Sequence, residues 1–172
     1  MSSREVRAVR AKVVLVGAPG VGKTSLVRQF VHSIFSEDYH STLGVKVDRK
    51  KLNVDGCEVT MLLWDMHGET DGLEIPDHYL RGALGSLAVI DATRPETAQM
   101  ALDLHARVKK NSPKVEQLVL ANKLDLDPDW DSLYAATDID ADQVVRTSAL
   151  TGEGVEAAFG RLATSIWQVA TS

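Results

Sequence analysis

The stretch "GAPGVGKT", Gly17 to Thr24, decides how this chain is read. It fits G-x-x-x-x-G-K-[ST] and stands between an apolar run, "AKVVLVG" (11–17), and a helix-like segment, "KTSLVRQFVHSIF" (23–35). That strand–loop–helix setting is the one the motif requires. Glycines let such a loop fold back so that backbone N–H groups point inward at phosphate oxygens. The helix N-terminus adds its positive end. Gly20, Val21, Gly22, Lys23, Thr24 and Ser25 are therefore expected to cradle phosphates, with Lys23 on the outer ones and the Thr24 hydroxyl on Mg²⁺. The loop implies a nucleoside triphosphate and leaves the base open.

Working outward, buried strand-like runs alternate with helical ones. "AKVVLVG" is continuously apolar, as in a parallel strand covered on both faces. The helix after it carries Leu26, Phe30 and Ile34 at intervals of four. "GVKVDRKKLNV" and "EVTMLLWD" follow, joined by the turn signal Asp55-Gly56. A polar segment, 66–78, is expected to be mobile. "SLAVIDA" (86–92) is another buried strand, and Thr93 with Glu96 reads as a capping box opening a helix with Ala101, Leu104 and Val108 on one face. "QLVLAN" and "QVVRTSA" are strands, and the acidic stretch "DPDWDSLYAATDIDAD" between them has room for only a short helix. The last helix aligns Val155, Phe159, Leu162, Ile166 and Val169 on one stripe. The order predicts an α/β fold with a mostly parallel sheet and one antiparallel edge strand.

Composition narrows the class. The chain has 172 residues, 44% of them hydrophobic and 25% charged, in the range of one soluble globular domain. A formal net charge of −5 argues against nucleic acid or an anionic membrane as the main partner. Cys57 is the single cysteine, so no internal disulfide forms, and a reducing, cytoplasmic setting is expected. No apolar run is long enough to span a membrane, and neither terminus carries a lipidation motif, so no covalent lipid anchor is expected. Arg4, Arg7 and Arg10 read as a solvated basic arm over 1–10, with the domain proper over 11–170. A monomer or weak dimer is expected.

The base is settled by "ANKLD" (121–125) and "TSAL" (147–150), each following a buried strand, where the ligand loops of a parallel sheet emerge. The carboxylate of Asp125 can accept two hydrogen bonds from the ring N–H and exocyclic amine of guanine, a pair that adenine lacks. A site built to make such bonds rejects a base that leaves them unmade. A backbone N–H at Ala149 is placed to bind the guanine carbonyl oxygen.

With the phosphate loop, Thr42, "DMHG" (65–68), "NKLD" (122–125) and "TSA" (147–149) in this order and spacing, the chain resembles the Ras-like small GTPases over essentially its whole length. Trp64 before the aspartate and "YLRGA" (79–83) after it look most like the Rab branch. The resemblance implies a P-loop NTPase fold with a six-stranded sheet and helices on both faces. It implies a switch that binds GTP or GDP with Mg²⁺ and hydrolyses GTP in signalling or trafficking. By the same resemblance Phe35 edges the guanine ring, and Asn122, Lys123, Asp125, Ser148, Ala149 and Leu150 surround the base. Thr42 completes Mg²⁺ coordination and senses the γ-phosphate, Asp65 holds Mg²⁺ through water, and the Gly68 N–H touches the γ-phosphate. Lys23, Thr42, Gly68 and Glu69 then form the hydrolytic set.

Three positions depart from the family pattern. Glu69 stands where the family usually has a water-orienting glutamine. An ionised carboxylate only accepts hydrogen bonds and sets a negative charge beside the γ-phosphate, which destabilises a transition state already rich in negative charge. Slow hydrolysis is therefore expected, and the alternative is a GTP-dependent binding module with negligible turnover. Pro19 replaces a common glycine and stiffens the loop. Leu150 replaces a common lysine, and the segment between Asp125 and Thr147 is short. No arginine lies between Phe30 and Lys46, so the first switch supplies no arginine finger in cis. His67 and Cys57 are read as without a chemical role. Loosening of residues 36–46 and 66–80 on hydrolysis would report the nucleotide to effector, activating and exchange proteins, with the strand 45–51 as a docking edge.

Overall fold

The computed structural model describes residues 8–31, 45–66 and 75–172. They form a six-stranded sheet in the order β2-β3-β1-β4-β5-β6. The strands are β1 (Ala8–Val16), β2 (Val45–Val54), β3 (Cys57–Met66), β4 (Ala83–Asp91), β5 (Glu116–Asn122) and β6 (Val144–Thr147). Only β2 runs antiparallel, paired with β3 through the tight turn at Asp55 and Gly56, both at positive φ. The parallel remainder is covered by α1 (Lys23–Val31), α2 (Asp77–Leu80), α3 (Thr97–Asn111), α4 (Trp130–Ala135) and α5 (Val155–Ala170). The expected mostly parallel sheet with one antiparallel edge strand is therefore the observed one. None of the described helices is long and apolar enough to cross a membrane.

Strand periodicity divides the core into two layers. Val13 and Leu15 of β1 point to the α1–α5 face, and Val14 and Val16 to the α2–α3 face. On the first face Phe30 and Phe159 stack with ring centroids 3.9 Å apart, tying α1 to α5. Gly85 of β4 lets α5 approach, since a Cβ there would lie 2.9 Å from the Ile166 side chain. The second face is built from smaller residues, Ala88, Ala92, Ala98 and Ala101 among them, and includes the buried His105.

Four local expectations are corrected. β1 starts at Ala8, ahead of the apolar run at Ala11, because Ala8–Arg10 pair with Glu58–Thr60 through backbone alone and leave little hydropathy signal. The capping box at Thr93 and Glu96 does not form: Glu96 is itself helical and its side chain caps nothing. Thr93 instead donates to Asp91 Oδ1 at 2.6 Å, and Thr97 Oγ1 donates to the Arg94 carbonyl at 2.8 Å. On α5 the stripe is buried from Val155 to Ile166, whereas Val169 is 45% exposed. On α3, Leu104 is only partly buried, while Ala101 and Val108 are fully covered. The acidic stretch does contain one short helix, α4.

Candidate functional site

The loop from β1 to α1 lies across the carboxyl ends of the parallel strands, the place where open α/β sheets bind ligands. Gly17, Gly20 and Gly22 all take positive φ, and two of them are closely packed. A Cβ on Gly17 would lie 2.4 Å from the Val89 carbonyl oxygen, so the loop presses on the end of β4. Gly22 sits at φ 104°, and a Cβ there would meet Asn122 Nδ2 at 2.3 Å. Lys23 is buried, and its ammonium donates to the carbonyls of Gly17 at 2.9 Å and Ala18 at 3.1 Å. The charge is thereby centred over the loop. Pro19, Gly20 and Ser25 are exposed along its rim, and Val21 is buried beneath it.

Thr24, at the start of α1, donates its hydroxyl to Asp65 Oδ2 at 2.5 Å. Asp65 is buried near the end of β3, beside Leu15 of β1. A hydroxyl and a carboxylate brought together from separate elements form a hard oxygen pair. That donor set fits Mg²⁺, which takes one or two protein oxygens and fills its remaining positions with phosphate and water.

The two loops after β5 and β6 are joined to the phosphate loop through one amide. Asn122 Nδ2 donates to the Val21 carbonyl at 3.0 Å. Its Oδ1 accepts from Thr147 Oγ1 at 3.2 Å and from the Ala149 N–H at 3.1 Å. Ser148 Oγ donates to Asp125 Oδ1 at 2.7 Å and accepts from the Thr151 N–H, so one Asp125 oxygen is held from below while the side chain stays exposed. Lys123 takes a left-handed backbone, φ 74°, as the chain turns out of β5. Leu150, at 80% exposure, stands at the outer edge of this cluster.

Asp91 and Arg94 escape sequence reasoning, although a carboxylate closing the apolar run "SLAVID" is a signal of a kind. Asp91 is 1% exposed, yet its Oδ2 accepts from Lys123 Nζ at 2.7 Å and from Arg94 Nε at 2.9 Å. Burial raises its pKa, but hydrogen bonds from Lys123, Thr93 and Arg94 outweigh that and hold the carboxyl at about 2. Arg94 continues to the phosphate loop, where Nη2 donates to the Pro19 carbonyl at 3.2 Å.

The structure thus gathers Gly20, Val21, Gly22, Lys23, Thr24, Asp65, Asn122, Lys123, Asp125, Ser148 and Ala149 along one end of the sheet. The Ala149 N–H, expected to be open to the base, donates to Asn122 Oδ1. Phe35, Thr42, His67, Gly68 and Glu69 lie outside the described residues.

The family model described as "Ras family" matches residues 12–168. The human Ras-related protein Rab-4B is 34% identical over 160 residues, covering 90% of this chain and 75% of that protein. The Ras-related protein Rab11E of Lotus japonicus is 32% identical over 163 residues, covering 92% of this chain and 75% of its own length.

Proposed function

The chain belongs to the Ras family of small GTPases, on its Rab branch, and from that premise we propose a guanine-nucleotide switch that binds GTP tightly and hydrolyses it slowly. Members of this family bind guanine nucleotide, generally with Mg²⁺, and act as switches in signalling or trafficking. The observation that carries the reading is the single network joining phosphate loop and base loops through Asn122. It supports a preformed cleft that takes phosphates at one end and a base at the other.

In this reading the nucleotide-binding unit spans 11–170. The backbone N–H groups of residues 20–25 and the N-terminus of α1 bind the phosphates, and Lys23 turns its ammonium from the Gly17 and Ala18 carbonyls toward the outer ones. Thr24 and Asp65, with Thr42, hold Mg²⁺, which neutralises charge on the phosphate oxygens when bound. Asp125 reads guanine with the oxygen that Ser148 leaves open, and the Ala149 N–H shares its hydrogen bond with the guanine carbonyl oxygen. Phe35 and Leu150 border the ring. Thr42 and Gly68 respond to the γ-phosphate, and effector, activating and exchange proteins read those segments together with the edge strand 45–51.

Glu69 limits the rate. Its carboxylate has no donor for the γ-phosphate oxygens and repels their charge. A second reading, a binding module that holds GTP with negligible turnover, is favoured by this same residue. Single-turnover hydrolysis by Glu69→Gln tests both, with an expected rise of at least about tenfold on restoring a neutral donor–acceptor. An unchanged or lower rate would show that Glu69 suits the reaction. Nucleotide in freshly purified protein then separates the readings: mostly GDP supports the switch, and mostly GTP the binding module.

A further inference from the structure

We propose that Arg94 is a phosphate-binding arginine supplied in cis, held over the rim of the phosphate loop by Asp91 to lend its charge to the polyphosphate of the bound nucleotide. This rests on the guanine-nucleotide reading above and adds a residue from a segment, the β4–α3 loop, that carries none of the motifs.

Geometry is the first support. The guanidinium has five N–H donors in a rigid fork. Nε is spent on Asp91 Oδ2 at 2.9 Å, and Nη2 bonds the Pro19 carbonyl at 3.2 Å. Nη2 also lies 3.4 Å from where a Cβ on Gly20 would stand, so the group covers the one glycine between Pro19 and Val21. The remaining N–H groups meet no protein acceptor among the described residues, and the side chain is 42% exposed. Two fixed edges with free donors between them and solvent are the arrangement of an arginine oriented in advance for an anion.

Charge balance is the second support. Lys123 and Arg94 converge on the same oxygen of Asp91, one carboxylate for two cations. The other oxygen is engaged by the Thr93 hydroxyl and N–H. Among the described residues the Asp91 cluster itself therefore holds two cations for one carboxylate, at the rim of the phosphate loop. An arginine needed only to neutralise Asp91 would be redundant, because Lys123 already does so at 2.7 Å. The excess charge matches a polyphosphate. Pro19 adds to it: the carbonyl that Arg94 grips belongs to a residue whose φ is locked, so the latch acts on a stiff stretch of loop.

The test compares GTP, GDP and GMP by competition against a fluorescent guanine nucleotide, for the parent protein, Arg94→Gln and Arg94→Lys, with the melting temperature of each nucleotide-free form. Arg94→Gln is expected to lose about tenfold to a hundredfold in affinity for GTP and GDP, the range of one charge-assisted hydrogen bond to phosphate. Its affinity for GMP should stay close to the parent's, its melting temperature should fall only by the small amount that one partly exposed ion pair contributes, and Arg94→Lys should recover part of the loss in affinity. Equal losses for all three nucleotides would make Arg94 a loop scaffold and overturn the proposal, as would no loss at all. If the parent protein binds none of the three, the guanine-nucleotide reading falls and this inference with it.

Discussion

Asp91 and Asn122 end neighbouring parallel strands and stand directly opposite each other in register. Both are buried, and both tie the phosphate loop to the base loops, by opposite means. Asn122 is neutral, and its amide spans Val21, Thr147 and Ala149 through direct hydrogen bonds. Asp91 is charged and works at one remove, holding Lys123 and Arg94, with Arg94 reaching Pro19. A neutral hub fixes distances regardless of salt or acid, because nothing in it titrates. A charged hub fixes distances and also sets how much positive potential faces the ligand, so it answers to pH. One end of the sheet thus separates shape from charge between adjacent side chains.

The largest effect is expected from Asn122→Ala. It leaves the Thr147 hydroxyl, the Ala149 N–H and the Val21 carbonyl to find new partners, at about 1–3 kcal/mol for each buried group left unsatisfied. A total near 4 kcal/mol is expected in urea unfolding, together with loss of measurable nucleotide binding. A loss below about 1 kcal/mol would remove Asn122 as the joining element.

Acid separates the two hubs. His105, on the α3 face, is buried, and burial lowers its pKa to about 4, opposed in part by a hydrogen bond with the Ser86 backbone. Its folded value lies below the unfolded one near 6.5. The unfolded chain therefore takes up the proton first, and stability falls as pH drops from about 6.5 to about 4, by roughly 3 kcal/mol in all. His105→Gln should flatten that slope in a pH series of unfolding midpoints. Asp91 titrates lower: its contribution is complete above 3.8 and is lost as pH falls toward about 2. On acidification the α3 face should weaken first and the charged hub second, while the Asn122 network adds no slope of its own.

The mildest intervention is Asp91→Asn. Lys123 and Arg94 lose their shared acceptor but lie partly in water, so the cost is about 2 kcal/mol, and it should shrink as pH falls from 3.8 toward about 2, because the unfolded chain takes up the Asp91 proton before the folded one does. Unfolding of both proteins across that range checks the convergence. A cost that stays constant with pH would show that the carboxylate's charge is not what matters.

Much of this was legible in the sequence, for physical reasons. Apolar runs of five to seven residues alternating with helical stripes dictate a parallel sheet, and a glycine loop between strand and helix dictates a phosphate cradle. Asp125 was expected from guanine's donor pair, and the structure places it on the loop after β5, held by Ser148. Where a bond depends on backbone alone, as at Ala8–Arg10, side chains give no sign of it. Where a pair joins residues 75 positions apart, as Arg94 and Pro19 do, no local pattern announces it. Thr93 misled for a related reason: a threonine that fits a helix cap fits equally well beside a buried carboxylate, and only the fold decides. Thr42, Gly68 and Glu69 rest on their motifs, because they lie outside the described residues.

Everything proposed for this end of the sheet depends on its selecting guanine. Competition of GTP against ATP, for the parent protein and for Asp125→Asn, tests it most directly. The parent is expected to prefer GTP by about 10⁴-fold or more, as sites built around buried hydrogen bonds do, and Asp125→Asn is expected to lose most of that preference. A parent protein that takes ATP equally well, or an Asp125→Asn variant with its preference intact, would contradict it.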